Sequence, residues 1–184
     1  MRPPYGGLTD LEEDPVTNTD TVTAERADLV ETLDKHRGFL RYTVRNLSDE
    51  QATQRTTVSA LTLAGVVKHV AETESTWTRF IEQGPTAFGD GSIESWKSQW
   101  ELQPGESLAS VLAHYDEVAR HTDELVATLP DLDADHPLPP APWFEKGARW
   151  SARRVLLHIL AETAQHAGHA DILREAIDGQ KTMG

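Results

Sequence analysis

Apolar residues return every three or four positions in four long stretches of the chain, and no stretch alternates convincingly with period two. That periodicity belongs to amphipathic helices. A first helix is expected from Thr21 or Thr23, either of which can cap it, to about residue 47, with Leu29 or Val30, Leu33, Leu40, Val44 and Leu47 on one face. A second is expected over 63–83, carrying Val66, Val70, Thr73, Trp77 and Phe80 on one face and stopped by Gly84 and Pro85. A third follows Pro104 and Gly105, with Leu108, Val111, Leu112, Tyr115, Val118, Thr122, Leu125 and Leu129 facing inward until Pro130 ends it. The fourth runs through 150–177 without a proline.

Four such segments predict an all-α fold, a four-helix bundle with long crossover connections. A glycine-rich crossover with a short helical piece near 93–102 leads from the second helix to the third, and residues 130–147, with five prolines, form a long irregular link into the fourth. Links of this kind can roof a pocket at one end of a bundle. Residues 1–20 combine Pro3, Pro4, Gly6, Gly7 and Pro15 with five acidic groups and read as an extended acidic arm, which leaves 21–184 as the bundle domain. A chain of 184 residues can bury a core without covalent staples.

Charge and cysteine content narrow the chemistry. Seventeen basic residues face 30 acidic ones, a formal net charge of −13, which argues against nucleic acid or an anionic lipid surface as a partner. The N-terminus lacks a basic start followed by an apolar run, and no segment approaches the roughly 20 apolar residues that span a bilayer, so a cytoplasmic protein acting on small molecules is expected. With no cysteine in the chain, any thiol in its chemistry comes from outside.

The fourth helix breaks its own pattern. Positions 155, 159, 162, 166, 169, 173 and 177 share a face and read Val, Ile, Glu, His, His, Leu, Ile, so the stripe begins and ends apolar and turns ionisable in between. A buried carboxylate normally pairs, takes up a proton or binds a metal. Glu162 and His166, four residues apart, can converge on one cation, and His69 in the middle of the second helix is the best candidate for a third ligand. Two imidazoles and a carboxylate suit zinc above all, with nickel, iron or manganese as alternatives, and they leave a coordination position open. The competing readings are a surface pair for Glu162 and His166 and a hydrogen-bonded core histidine for His69.

Residues 61–77, LTLAGVVKHVAETESTW, and 149–179, RWSARRVLLHILAETAQHAGHADILREAIDG, resemble the paired signatures of the DinB-like superfamily, which includes mycothiol-dependent maleylpyruvate isomerase and bacillithiol S-transferases. The resemblance implies a bundle holding a divalent metal through one histidine of the second helix and two residues four apart on the last. Position by position these are His69, Glu162 and His166. His169 stands where many relatives have glutamine, and it is a candidate for hydrogen bonding a metal-bound water, for proton transfer or for orienting His166. Mycothiol as a cosubstrate is implied by kinship alone.

Other ionisable groups are assigned more modestly. His158 rotates about 40° from Glu162 along the helix and belongs behind the ligands or on the surface. His36 and Arg37 on the first helix could reach the bundle mouth and hold an anionic substrate or cofactor, Arg37 through its forked donors, the competing reading being a helix cap or a surface salt bridge. His114, His121 and His136 fall on outward faces or in a loop. The resulting expectation is a metal-dependent thiol transferase or isomerase. A metal-dependent hydrolase and a non-catalytic metal-stabilised binding protein are the alternatives, and a homodimer is plausible. Di-iron chemistry is disfavoured because its bundles use Glu-x-x-His pairs, whereas the spacing here is four.

Overall fold

The computed structural model describes residues 18–89 and 97–182, with side chains from residue 23 onward. Helix α1 (Asn18–Thr43) is followed by the one-turn helix α2 (Asp49–Ala52), α3 (Leu63–Gln83), a 3₁₀ turn (Gly84–Phe88) and α4 (Leu108–Thr128). Strands β1 (Asp135–Pro137) and β2 (Arg149–Ser151) then lead into α5 (Ala152–Asp178). Helix α1 packs on α4 and α5, and α3 packs on the same two, so α1 and α3 form one diagonal of a bundle and α4 and α5 the other. This is the expected mostly helical architecture. The acidic arm before residue 18 and residues 90–96 of the crossover, including 93–96 of the helical piece expected near 93–102, lie outside the described residues.

Local chemistry sets the helix ends. Thr62 caps α3 by accepting from the Gly65 amide (3.1 Å), and Ser107 with Ser110 forms a reciprocal capping box at the start of α4. Ser151 caps α5, which stops at Gly179 in the left-handed conformation (φ 76°). Helix α1 starts three residues before Thr21, because no proline or glycine intervenes after Pro15. It also ends at Thr43 rather than near residue 47, since Asn46 is left-handed (φ 58°). The carbonyls freed there are satisfied from another helix: Arg174 of α5, buried, donates to the Thr43 and Arg45 carbonyls at 2.7 and 2.9 Å while its other nitrogens hold Asp178.

The link expected to be irregular contains a short hairpin. Asp135, His136 and Pro137 pair antiparallel with Ser151, Trp150 and Arg149, which fastens the start of α5 to the end of α3, where His136 Nε2 donates to the Ile81 carbonyl (3.2 Å). Three-residue strands are too short to show alternation.

Two apolar clusters fill the bundle. One gathers Leu40, Val44, Leu63, Val66, Val70, Leu108, Val111 and Leu173; the other gathers Leu29, Leu33, Trp77, Phe80, Val126, Val155 and Ile159. On every long helix the residues between the two sets include a buried polar group, Arg37 on α1, Glu74 on α3, Thr122 on α4 and Thr163 on α5, and Thr78 lies one turn after Glu74. A polar layer therefore crosses the middle of the core. Arg37 and Glu74 are both fully enclosed and paired there, and the hydroxyls of Thr78 and Thr122 bond at 3.1 Å.

Candidate metal centre

At the edge of the polar layer, α3 and α5 bring His69, Glu162 and His166 together. Each offers one ligand atom, and these atoms all lie within 4.8 Å of one another. His166 Nε2 stands 3.5 Å from Glu162 Oε2, and the His69 and His166 rings meet edge to face with centroids 4.9 Å apart. Ligands about 2.1 Å from a tetrahedral cation are about 3.4 Å apart, so only a small contraction would close the group around an ion.

Electrostatics favour the ligand forms. Burial, together with the neighbouring His166, holds the His69 pKa down at about 4 against an ordinary 6.5, overriding Glu162 and the Gln99 side chain, so its imidazole is neutral with a lone pair free. Its Nδ1 is buried with no hydrogen-bond partner, while Nε2 meets Thr73 Oγ1 at 3.4 Å. The Glu162 carboxyl is held below the usual range by its hydrogen bond with His166, against the opposing effect of burial. A neutral imidazole beside an ionised carboxylate is what a divalent cation requires.

The surroundings orient these groups. His169 Nδ1 lies 3.3 Å from His166 Nδ1, so one of the two donates to the other and Nε2 of His166 is left facing Glu162. His169 does not join the cluster of ligand atoms. His158 Nε2 stands 4.0 Å from Glu162 Oε1, its ring packed edge-on against Trp77 and Trp150. Burial lowers its pKa.

Trp100 was not among the residues expected at the site. Its indole lies flat on His69, with centroids 3.6 Å apart at 14°, and meets His166 at 5.6 Å. The segment carrying it rests on α3 at Gly65, where a Cβ would collide with the Trp100 carbonyl oxygen. Lys68, the residue before His69, fastens the same segment through the Glu101 carbonyl (3.2 Å) and the Glu106 carboxylate (2.6 Å). The available signal was Gly65 itself, an unfavourable residue inside an otherwise good helix.

A family model for mycothiol-S-transferase matches residues 28–179, a span that takes in the whole triad and most or all of every long helix. The chain belongs to the mycothiol-S-transferase family. No curated protein matches this member of the family. Its bundle is similar to the crystal structure of a conserved protein of Enterococcus faecalis, with a TM-score of 0.57 over 83% of this chain and 96% of that one, at 13% identity. That likeness concerns the fold.

In this mycothiol-S-transferase family member, Arg37 is placed differently from an anion anchor at the bundle mouth. It is enclosed in the polar layer, with Nε and Nη2 given to Glu74 and Nη1 to Asp34 and Asp123 at 2.9 Å each. All three nitrogens are taken by carboxylates of the chain, which ties α1, α3 and α4 together. His36, beside it, packs edge-on against Phe39. His114 and His121 stand on outward faces near Glu72 and Glu82, and His136 serves the hairpin. Among the described residues no helix is long and apolar enough to cross a membrane.

Proposed function

We propose that the protein joins a small thiol, mycothiol by family, through its sulfur to a small electrophile, using a divalent cation held by His69, Glu162 and His166. The observation that carries this reading is the convergence of one ionised carboxylate and two imidazoles, one of which, His69, keeps a buried ring nitrogen without a hydrogen-bond partner. Zinc, the cation best matched to this donor set, lowers the cost of deprotonating a bound thiol by direct charge attraction. The chain's own residues do the rest. Glu162 offsets part of the cation's charge, neutral His69 donates its lone pair, and His169 fixes the ring of His166 through their paired Nδ1 atoms. His169 can also receive a proton at its ring when the thiol ionises. Trp100 covers one face of His69 and keeps water from that side.

A cation with three protein ligands keeps a position for the incoming sulfur. That His169 points at the back of His166, rather than joining the ligand atoms, supports an open site over a closed structural one. The chain supplies no thiol of its own, since it contains no cysteine. In S-transfer to an aryl chloride, a carbon–sulfur bond forms, the carbon–chlorine bond breaks, chloride leaves and the thiol proton passes through His169 to solvent.

The test uses the zinc-loaded protein with mycothiol and 1-chloro-2,4-dinitrobenzene. Product formation should need protein, metal and thiol together, and should fall on chelation or in His166→Ala. Turnover that persists without the thiol would move the reading to a hydrolase, and a rate unmoved by chelation would sink metal dependence.

A further inference from the structure

Helix α5 buries one side against α1 and α3, yet its outward side is not a polar surface. Leu157 and Ile172 stand there 46% and 62% exposed, among the few large apolar side chains left open to solvent. Between them lie Ala161, Gln165 and Gly168, all exposed, with open space where a Cβ on Gly168 would stand. At either end come Arg154 and Glu175, also exposed. The six positions 154, 157, 161, 168, 172 and 175 fall within one narrow arc of the helix.

Their order reads the same from both ends. Arg154 and Glu175, Leu157 and Ile172, and Ala161 and Gly168 are each equidistant from the point between Ala164 and Gln165. A second α5 laid antiparallel on the first, with a two-fold axis through that point, sets every member of a pair opposite its mate. Leu157 then covers Ile172 of the other copy, Ala161 meets Gly168 where the backbones can approach closely, and Arg154 faces Glu175 at both ends. Leucine and isoleucine sit in the layers that antiparallel helices use for core contacts.

Charge chooses the occupant. Among the described residues neither Arg154 nor Glu175 forms an ion pair within the chain, and the Arg154 guanidinium carbon lies over the Trp150 ring, 4.4 Å from its centroid. In a chain of net charge −13, two copies repel at long range, so a surface matched in sign at both ends favours this docking over other approaches. We infer that the exposed face of α5 is an antiparallel two-fold interface with a second copy of this chain. The inference is independent of the metal and of the reaction.

Sedimentation of the full chain tests it. The wild type should be dimeric at micromolar concentration, and Arg154→Glu or Glu175→Arg should each weaken the dimer by roughly tenfold, because each places two like-charged pairs in the interface. The double variant should restore it. A wild type that stays monomeric at about 100 μM, or a double variant weaker than either single one, overturns the proposal. Because the chain has no cysteine, position can be tested directly. Oxidation of a mixture of Leu157→Cys and Ile172→Cys should give the mixed covalent dimer. Either protein alone should not cross-link, since residues 157 and 172 are about 22 Å apart along the helix. Equal cross-linking in all three samples also overturns it.

Discussion

The carbonyl oxygen of Trp100 rests on Gly65, where no side chain larger than hydrogen fits. Gly65 lies one helical turn before His69, so the close approach that it permits sets the Trp100 indole on the His69 ring. Gly65→Ala should improve intrinsic helix propensity yet destabilise the protein by about 1–3 kcal/mol through overpacking. It should also displace Trp100. Thermal unfolding and tryptophan emission measure the two effects, and an alanine variant with unchanged emission and a higher melting temperature would contradict the packing described.

The triad makes a sharper prediction. His69→Ala, Glu162→Ala and His166→Ala should each lower bound metal in the purified protein while leaving the far-ultraviolet helical signal intact, because the ligands sit at the edge of the polar layer and not inside either apolar cluster. His169→Gln should keep the ion, with affinity reduced by about 10–100-fold as for other groups that orient a ligand. Elemental analysis and competitive chelation separate these outcomes. Full metal in all three alanine variants would remove the assignment.

Much of this was legible in the sequence, and the reasons it was not all legible are specific. The three-and-four spacing of Val66, Val70, Trp77 and Phe80 located α3, and the Glu162, His166 and His169 interruption of an apolar stripe located the ionisable part of α5, because a helix projects its pattern onto one face. Arg37 was visible as an arginine near an apolar stripe, but whether its donors faced solvent or Glu74 and Asp123 depends on two other helices. The end of α1 depends on Arg174, 131 residues beyond Thr43. Long-range caps and backbone contacts such as that of Trp100 on Gly65 leave no periodic trace.

The enclosed Arg37–Glu74 pair predicts strong non-additivity. Arg37→Ala leaves a buried carboxylate without its main partner and should cost about 3–5 kcal/mol, and Glu74→Ala should be comparably severe. The double variant Arg37→Ala with Glu74→Ala should cost far less than the sum of the two single losses. Urea unfolding of the four proteins completes the cycle. Additive losses would show that the pair is not coupled.

Acid should weaken the metal-free protein over a defined window. The folded state holds His69 neutral down to about pH 4, whereas in the unfolded chain it protonates near 6.5. The folded pKa is the lower one, so the unfolded state binds more protons as pH falls, and the stability contributed by neutral His69 is full above about 6.5 and is lost progressively toward 4. Melting curves of the metal-free wild type should fall across that interval, and His69→Gln should flatten the decline. An identical slope in the variant would locate the effect elsewhere.

The flat stack of Trp100 on His69 has a practical consequence: the protein carries a built-in optical gauge of its candidate metal centre. A paramagnetic ion such as nickel arriving at the triad should quench that indole at short range, and Trp100→Phe should remove the response while the other four tryptophans continue to emit. Loading, release and exchange of the ion can then be followed in real time without any label.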